Sequence, residues 1–199
     1  GGTKIGNVTQ QASEMTGISC KTCVSTGGHD HACASVAVNI FENGVVLDSM
    51  GTAEVSMIAV KEPIVNEEMQ ANYYSVYPHC GEKLYRVITS NQSCGACIEW
   101  YLRTFAEGVI QKEEQTGKSR YDYLLDYIDG QGNFVSAIID GICYELKKQI
   151  DGYSGLFHES FDRVRVVGGL SKSERIMERK AQIQQDLIEV PECTEAACL

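Results

Sequence analysis

The run Gly27-Gly28-His29-Asp30-His31 is the first stretch of this 199-residue chain whose residue types and spacing suggest chemistry. An aspartate just beyond a glycine-rich strand end can reach a substrate hydroxyl as a general base. The same aspartate in the first turn of a helix also serves as a cap, because its charge meets the positive end of the helix. The residues alone leave both roles open. A metal site here would use His29 and His31. On a strand those two share a face while Asp30 points away, and no third ligand cluster accompanies them.

Three glycine-bearing turns recur at the ends of strand-like runs: Gly27-Gly28, Gly51-Thr52 and Gly168-Gly169. Glycine at a strand end lets backbone N–H groups approach an anion closely, and a following helix adds a partial positive charge. No GxxxxGK[ST] loop and no GxGxxG turn is present, which excludes both of those nucleotide-binding patterns. Nine cysteines include two CxxC pairs, Cys20/Cys23 and Cys94/Cys97. Their separation is far longer than the usual distance between paired zinc knuckles, so a four-cysteine zinc site is the minor reading.

The elements that must position these residues read as follows. Thr9 to Met15 is a short helix stopped by Gly17, and Cys23 to Thr26 is strand-like. A helix is expected from His31 to Phe41. Asn43-Gly44 then turns the chain into a strand from Val45, with a return through Ser49 to Glu54 and a second strand from Val55 to Val60. A β-rich middle follows, with Leu84 to Thr89 as its clearest strand. Ser93 reads as the cap of a helix reaching about Ala106 with Gly108 behind it, and Gln111 to Ser119 reads as a polar loop. Tyr121 to Ile128 is a short helix. Asn133 to Gln149 is the clearest one, with Phe134, Ile138, Ile142 and Leu146 at four-residue spacing. Val164 to Val167 is a strand, Ser171 to about Gln185 a helix and Ile188 to Val190 a strand; Glu192 to Ala197 opens a helix that the chain end cuts off. This alternation predicts an α/β fold.

Composition narrows the class further. The net charge is −10, from 27 acidic against 17 basic residues. That excludes a non-specific nucleic-acid binder and leaves no polybasic cluster for anionic lipid. No apolar run is long enough to span a membrane, and Gly1-Gly2-Thr3-Lys4 carries no apolar signal core and no initiator Met. The expectation is a cytoplasmic protein with mostly reduced thiols, present here as part of a longer chain.

Several of these motifs, in this order, resemble the FGGY family of carbohydrate kinases, which includes glycerol, xylulose, gluconate and deoxy-sugar kinases. They are Gly27-Gly-His-Asp-His-Ala-Cys-Ala34, Asp48-Ser-Met-Gly-Thr-Ala-Glu54, Asn133-Phe-Val-Ser-Ala-Ile-Ile-Asp140, Val166-Val-Gly-Gly-Leu-Ser-Lys-Ser173 and Pro191-Glu-Cys-Thr-Glu-Ala-Ala-Cys-Leu199. The resemblance implies an actin-like, ribonuclease-H-like ATPase domain, a mixed sheet flanked by helices. Residues 1–28 would be the end of the N-terminal kinase domain and the crossover, and residues 29–199 the C-terminal, nucleotide-side domain, truncated at its C-terminus. It implies Asp30 as catalytic base, with His29 beside it on the substrate side. Gly51, Thr52, Gly95, Glu99, Gly168, Gly169 and Ser173 would meet the nucleotide. ATP and Mg²⁺ are the implied cofactors, and a sugar or polyol is the acceptor.

Two departures from the family pattern stand out. The opening Asp-Gly-Thr phosphate loop of the N-terminal domain is absent, and so is the Pro-Tyr-Leu-x-Gly-x-Arg-like stretch before Asn133. They keep a second reading open, a non-catalytic actin-like module that binds a nucleotide or a partner. The cleft face left exposed could pair two copies as a homodimer.

Overall fold

The β3 strand, Val45–Met50, is buried on both faces and sets the architecture. In the computed structural model, which describes residues 1–81, 83–124 and 134–192, it is the central strand of a six-stranded mixed sheet. The sheet order is β5-β6-β4-β3-β7-β8, with β4 at Glu54–Val60, β5 at Ser75–Pro78, β6 at Tyr85–Asn91, β7 at Arg163–Val167 and β8 at Leu187–Glu189. β3, β4, β6 and β5 pair antiparallel in succession, whereas β7 runs parallel to β3 and β8 parallel to β7. The parallel half needs helical crossovers, as its geometry requires.

The period of two along β3 divides the core. Val46 and Met50 join Ile58, Val87 and Val164 beneath α4 (Gly95–Phe105), α7 (Phe134–Phe157) and α8 (Glu174–Gln184). Val45 and Leu47 face the other way, with Met57 and Val167, against Ala34 and Val38 at the end of α2 (Asp30–Ala37). In α7, Ile139, Ile142, Leu146, Ile150 and Tyr153 form the buried stripe. Tyr153 is fully buried, and its hydroxyl donates to the Ser56 carbonyl at 3.0 Å.

Residues before α2 form a separate layer. β1 (Lys4–Asn7) pairs antiparallel with β2 (Cys23–Ser25), with α1 (Gln10–Thr16) between them. Thr9 caps α1 by accepting from the Ala12 N–H, and Gly17 ends it in the left-handed region, as its sequence predicts. No residue of α1 is buried.

Four sequence expectations are corrected. α2 stops at Ala37 rather than Phe41, because the Arg165 guanidinium takes the Val38 and Asn39 carbonyls at 2.7 and 2.6 Å. Ser93 does not cap α4, which begins after Cys94 and has its first N–H groups satisfied elsewhere. Gly108 ends nothing, and the expected loop at Gln111–Ser119 is mostly helix. It belongs to α5 (Glu107–Thr116), which buries Val109, packs Ile110 against the core and runs through helix-favouring Gln, Lys and Glu from 111 to 115. α7 also runs eight residues beyond Gln149, to Phe157. A short α3 (Glu67–Ala71), capped by Asn66, was not anticipated. Of the expected helix at Tyr121–Ile128, α6 (Arg120–Leu124) is seen; its remainder, Asn133 and the run 193–199 lie outside the described residues.

Leu146 is fully buried while Tyr144, two residues away, is 61% exposed. Leu146→Ala is expected to lower unfolding free energy by about 2–5 kcal/mol. Tyr144→Ala should stay within about 0.5 kcal/mol. Urea unfolding of the two variants checks this face assignment.

Candidate functional site

The C-terminal end of β3 is where Gly51-Thr52 and Gly168-Gly169 meet, together with Gly95; of the remaining glycine turn, Gly28 lies against Cys80 and Cys33 instead. β3 turns into β4 through Gly51-Thr52-Ala53, with the Gly51 N–H donating to the Ala53 carbonyl at 3.0 Å. The N-terminus of α4 abuts this turn: the Gly95 N–H donates to the Gly51 carbonyl at 3.1 Å and the Ala96 N–H to the Thr52 carbonyl at 2.9 Å. These bonds supply the capping that Ser93 does not. They bring the backbones so close that a Cβ at position 95 would overlap the Gly51 carbonyl oxygen. From the other side, Gly168 follows β7 at φ +99°, where a Cβ would lie 2.5 Å from the Met50 carbonyl oxygen. Both glycines are fixed by close backbone approach, and Gly168 also by its torsion. The consequence is a shared surface: Gly51, Thr52 and Gly169 are exposed around the buried Gly95. No described protein group engages the Thr52 N–H or hydroxyl.

The other expected residues take different positions. Glu99 lies one helical turn along α4, and its carboxylate accepts from the Arg120 guanidinium at 3.2 Å. The Tyr121 hydroxyl reaches the same carboxylate at 3.4 Å. Ser173 is fully buried and donates to the Tyr121 carbonyl at 3.4 Å. Asp30 begins α2 with its side chain 67% exposed. Its carboxylate accepts from the His31 N–H and pairs with His29 Nδ1, each at 2.7 Å. That backbone bond, chiefly, holds its pKa below the ordinary carboxylate value, with lesser help from His31, His29 and Arg86. The same contacts favour the carboxylate form of Asp30. The two CxxC pairs do not come together: Cys94 is buried and Cys23 exposed. Among the described residues no three His, Cys, Asp or Glu side chains converge to hold a metal ion.

Sequence reasoning missed what lies beneath the turn. Lys180 of α8, fully buried, sets its ammonium between Asp48 of β3 and Glu54 of β4, both also fully buried. It pairs closely with Asp48 and reaches Glu54 Oε1 at 3.0 Å. Asp48 Oδ1 and Glu54 Oε2 have no hydrogen-bond partner. One ammonium cannot neutralise two carboxylates in a sealed site, and the excess charge is relieved at Glu54. Burial first, then Asp48, raise its pKa to about 7 against the opposing pull of Lys180. A proton on Glu54 also supplies a hydrogen bond to Asp48. The signal was present in the sequence: Asp48 and Glu54 interrupt apolar strands, and Lys180 falls four residues after Ile176 on the buried face of α8.

A carboxyl whose folded pKa exceeds its unfolded value binds its proton more tightly when folded. Its stabilisation is then fully present below the ordinary value of 4.5 and is lost as pH rises through about 7. Unfolding free energies of the wild type and Glu54→Gln, measured from about pH 5 to about pH 8, should show the wild type losing stability relative to the variant. A constant difference across that window would contradict this assignment.

Comparison with known proteins agrees with this architecture. Residues 124–199 match the model of the FGGY family of carbohydrate kinases, C-terminal domain. The chain is 25% identical to the xylulose kinase of Bacillus subtilis (strain 168) over 210 aligned positions, which cover 90% of this chain and 41% of that protein. It thus spans about two fifths of the length of the curated relatives it matches. Among solved structures, gluconate kinase from Lactobacillus acidophilus superposes with a TM-score of 0.72 at 17% identity, covering 98% of this chain and 44% of that one. Plasmodium falciparum glycerol kinase with ADP gives 0.71 at 16% identity, with 98% and 44% coverage. These neighbours share the actin-like ATPase fold, and the order β6-β4-β3-β7-β8, three antiparallel strands followed by two parallel ones, is its sheet. The glycine turn at the end of β3 and the Gly168 approach lie at the centre of that architecture in this molecule, and its residues 124–199 are similar to the C-terminal domain of the FGGY family of carbohydrate kinases.

Proposed function

We propose that this chain is the nucleotide-side part of a carbohydrate kinase that transfers the terminal phosphoryl group of ATP to a hydroxyl of a small sugar or polyol. The convergence of Gly51-Thr52, Gly95 and Gly168-Gly169 at the end of β3 carries this reading. The relatives are named for kinases of xylulose, gluconate and glycerol, all small polyhydroxylated acceptors.

In this reading the N–H and hydroxyl of the exposed Thr52 meet the phosphates, and the open Gly169, beside the tightly packed Gly168, gives adenosine a flat backbone surface. Gly95 keeps the phosphate turn in register against α4. Ser173 and Glu99 support that wall from behind and from the rim, one tied to the Tyr121 carbonyl, the other to the Arg120 guanidinium. Asp30, ionised and exposed, takes the proton of the attacking hydroxyl, and His29 orients its carboxylate. Phosphoryl transfer gains most from positioning and charge neutralisation, which suits a site made largely of backbone. Mg²⁺, when present, neutralises phosphate charge; with no three-ligand cage among the described residues, it would be held mainly through the nucleotide. Residues 1–28 belong to the preceding half of the kinase, consistent with an α1 that buries nothing. That half supplies the rest of the cleft.

Titration calorimetry of the chain with Mg-ADP should give binding that Gly169→Arg weakens by at least about tenfold, because the new side chain fills the nucleoside surface. Equal affinity in the variant would remove the nucleotide from this step. In the complete kinase, Asp30→Asn should lower kcat by about 10²–10⁴-fold in an ADP-release assay run with xylulose, glycerol and gluconate. Unchanged turnover would refute Asp30 as the base, and no turnover with any acceptor in the wild type would favour a non-catalytic binding module.

A further inference from the structure

The Lys180 cluster is placed to do more than fill the interior. In the β3–β4 register Met50 pairs with Glu54 and Asp48 with Ser56. Alternation then puts Asp48, Met50, Glu54 and Ser56 on one face, the face covered by α7 and α8. Asp48 lies three residues before Gly51, and Glu54 two residues after Thr52. The two carboxylates thus stand at the base of each leg of the turn, and a single ammonium from a third element joins them. The turn is already held at its tip by α4 and at its flank by Gly168. Without Lys180 nothing from α8 would join the two legs, and the register between turn and helix would rest on apolar contact alone.

We propose that Lys180, acting through Asp48 and Glu54, is a positioning residue that holds the Gly51-Thr52 turn in the geometry that receives nucleotide phosphate. It touches no ligand: its ammonium is sealed from solvent and occupied by two carboxylates. Its role is to fix Thr52, two residues from Glu54, so that the donors that do meet phosphate need no reordering on binding. This rests on the nucleotide reading above and adds to it a division of labour. The Gly168-Gly169 step holds the nucleoside, and the ion cluster governs only the phosphate half. Besides Lys180 and Asp48, the titratable groups facing Glu54 are Cys94 before α4 and Cys143 of α7. Both are buried, and burial pushes both thiols up, that of Cys143 to about 11. They stay neutral and do not compete for the ammonium.

The experiment compares Mg-ADP with adenosine, which lacks phosphate, on the wild-type chain and on Lys180→Met, Glu54→Ala and Glu54→Gln, with thermal unfolding run on each. Glu54→Gln keeps an acceptor for Lys180; Glu54→Ala does not. The expected result is at least about tenfold weaker Mg-ADP binding in Lys180→Met and Glu54→Ala, near wild-type binding in Glu54→Gln, and unchanged adenosine binding in all folded variants. If Lys180→Met fails to fold, the Glu54 pair decides. Adenosine affinity falling in step with Mg-ADP would mean a merely structural cluster and would overturn the proposal; so would Mg-ADP binding unaffected in Glu54→Ala. A wild-type chain that binds adenosine but gains nothing from phosphate also overturns it while leaving the nucleoside surface standing. Binding of neither ligand removes the nucleotide reading itself.

Discussion

An ammonium shared by two carboxylates in a site closed to water is the interaction on which this domain's geometry depends. Desolvating a buried ammonium and its carboxylate partner costs several kcal/mol each, Glu54 lowers its own share by holding a proton, and the remaining cost is recovered only while the groups stay in contact. Lys180, Asp48 and Glu54 come from α8, β3 and β4. Strand pairing, the docking of α8 and the position of the β3–β4 turn therefore cannot vary independently. An apolar cluster of the same size would tolerate sliding, because hydrophobic contact is not directional. The surrounding core, Met50, Ile58, Leu170, Ile176 and Met177 among others, contributes most of the burial free energy; the charges contribute the register.

The second constraint is steric. β3 is so crowded at its end that other backbone segments lie against it with no room for a Cβ. This explains why Gly95 and Gly168, far apart in sequence, carry no side chain where they meet the end of β3. It also reassigns donors. The first N–H groups of α4 look from the sequence like a ready anion site, yet Gly95 and Ala96 spend theirs on the Gly51 and Thr52 carbonyls. The helix end acts on the turn, and the turn is what stays exposed.

Much of this was readable before the structure, for identifiable reasons. The order of strands and helices followed from periodicity, and the Gly17 and Gly44 turns from local chemistry, which needs no tertiary information. What failed were element ends set by distant partners. The end of α2 depends on Arg165, more than a hundred residues away, and the start of α4 depends on carbonyls in the β3–β4 turn. α5 was read as a loop because its stripe is thin: only Val109 is buried, so its helix-favouring polar residues looked like a linker. Among the candidate residues, Gly51 and Gly168 were legible because glycine at a strand end has few uses, whereas Gly95, at a helix start, was picked out only by the family resemblance. Ser173 was less so, since nothing local distinguishes a serine facing a ligand from one bonded to the Tyr121 carbonyl. Lys180 was missed because an exposed helix position is the ordinary place for lysine.

The charge balance gives these placements a common logic. In the proposed site a chain of net charge −10 would receive a polyanion at the end of β3, where the buried Lys180 is already committed to two carboxylates. No spare positive side chain is needed if the phosphates meet preorganised dipoles, since fixed donors cost no reorganisation when the ligand arrives. Preorganisation is what the geometry provides: a turn hydrogen-bonded to itself, pinned to α4, flanked by a glycine that admits nothing larger, and tied at its base by Lys180. A flexible cationic side chain would attract phosphate from further away but would have to be ordered on each binding event. In the proposed site the buried Lys180 holds the backbone still, and recognition is left to the backbone.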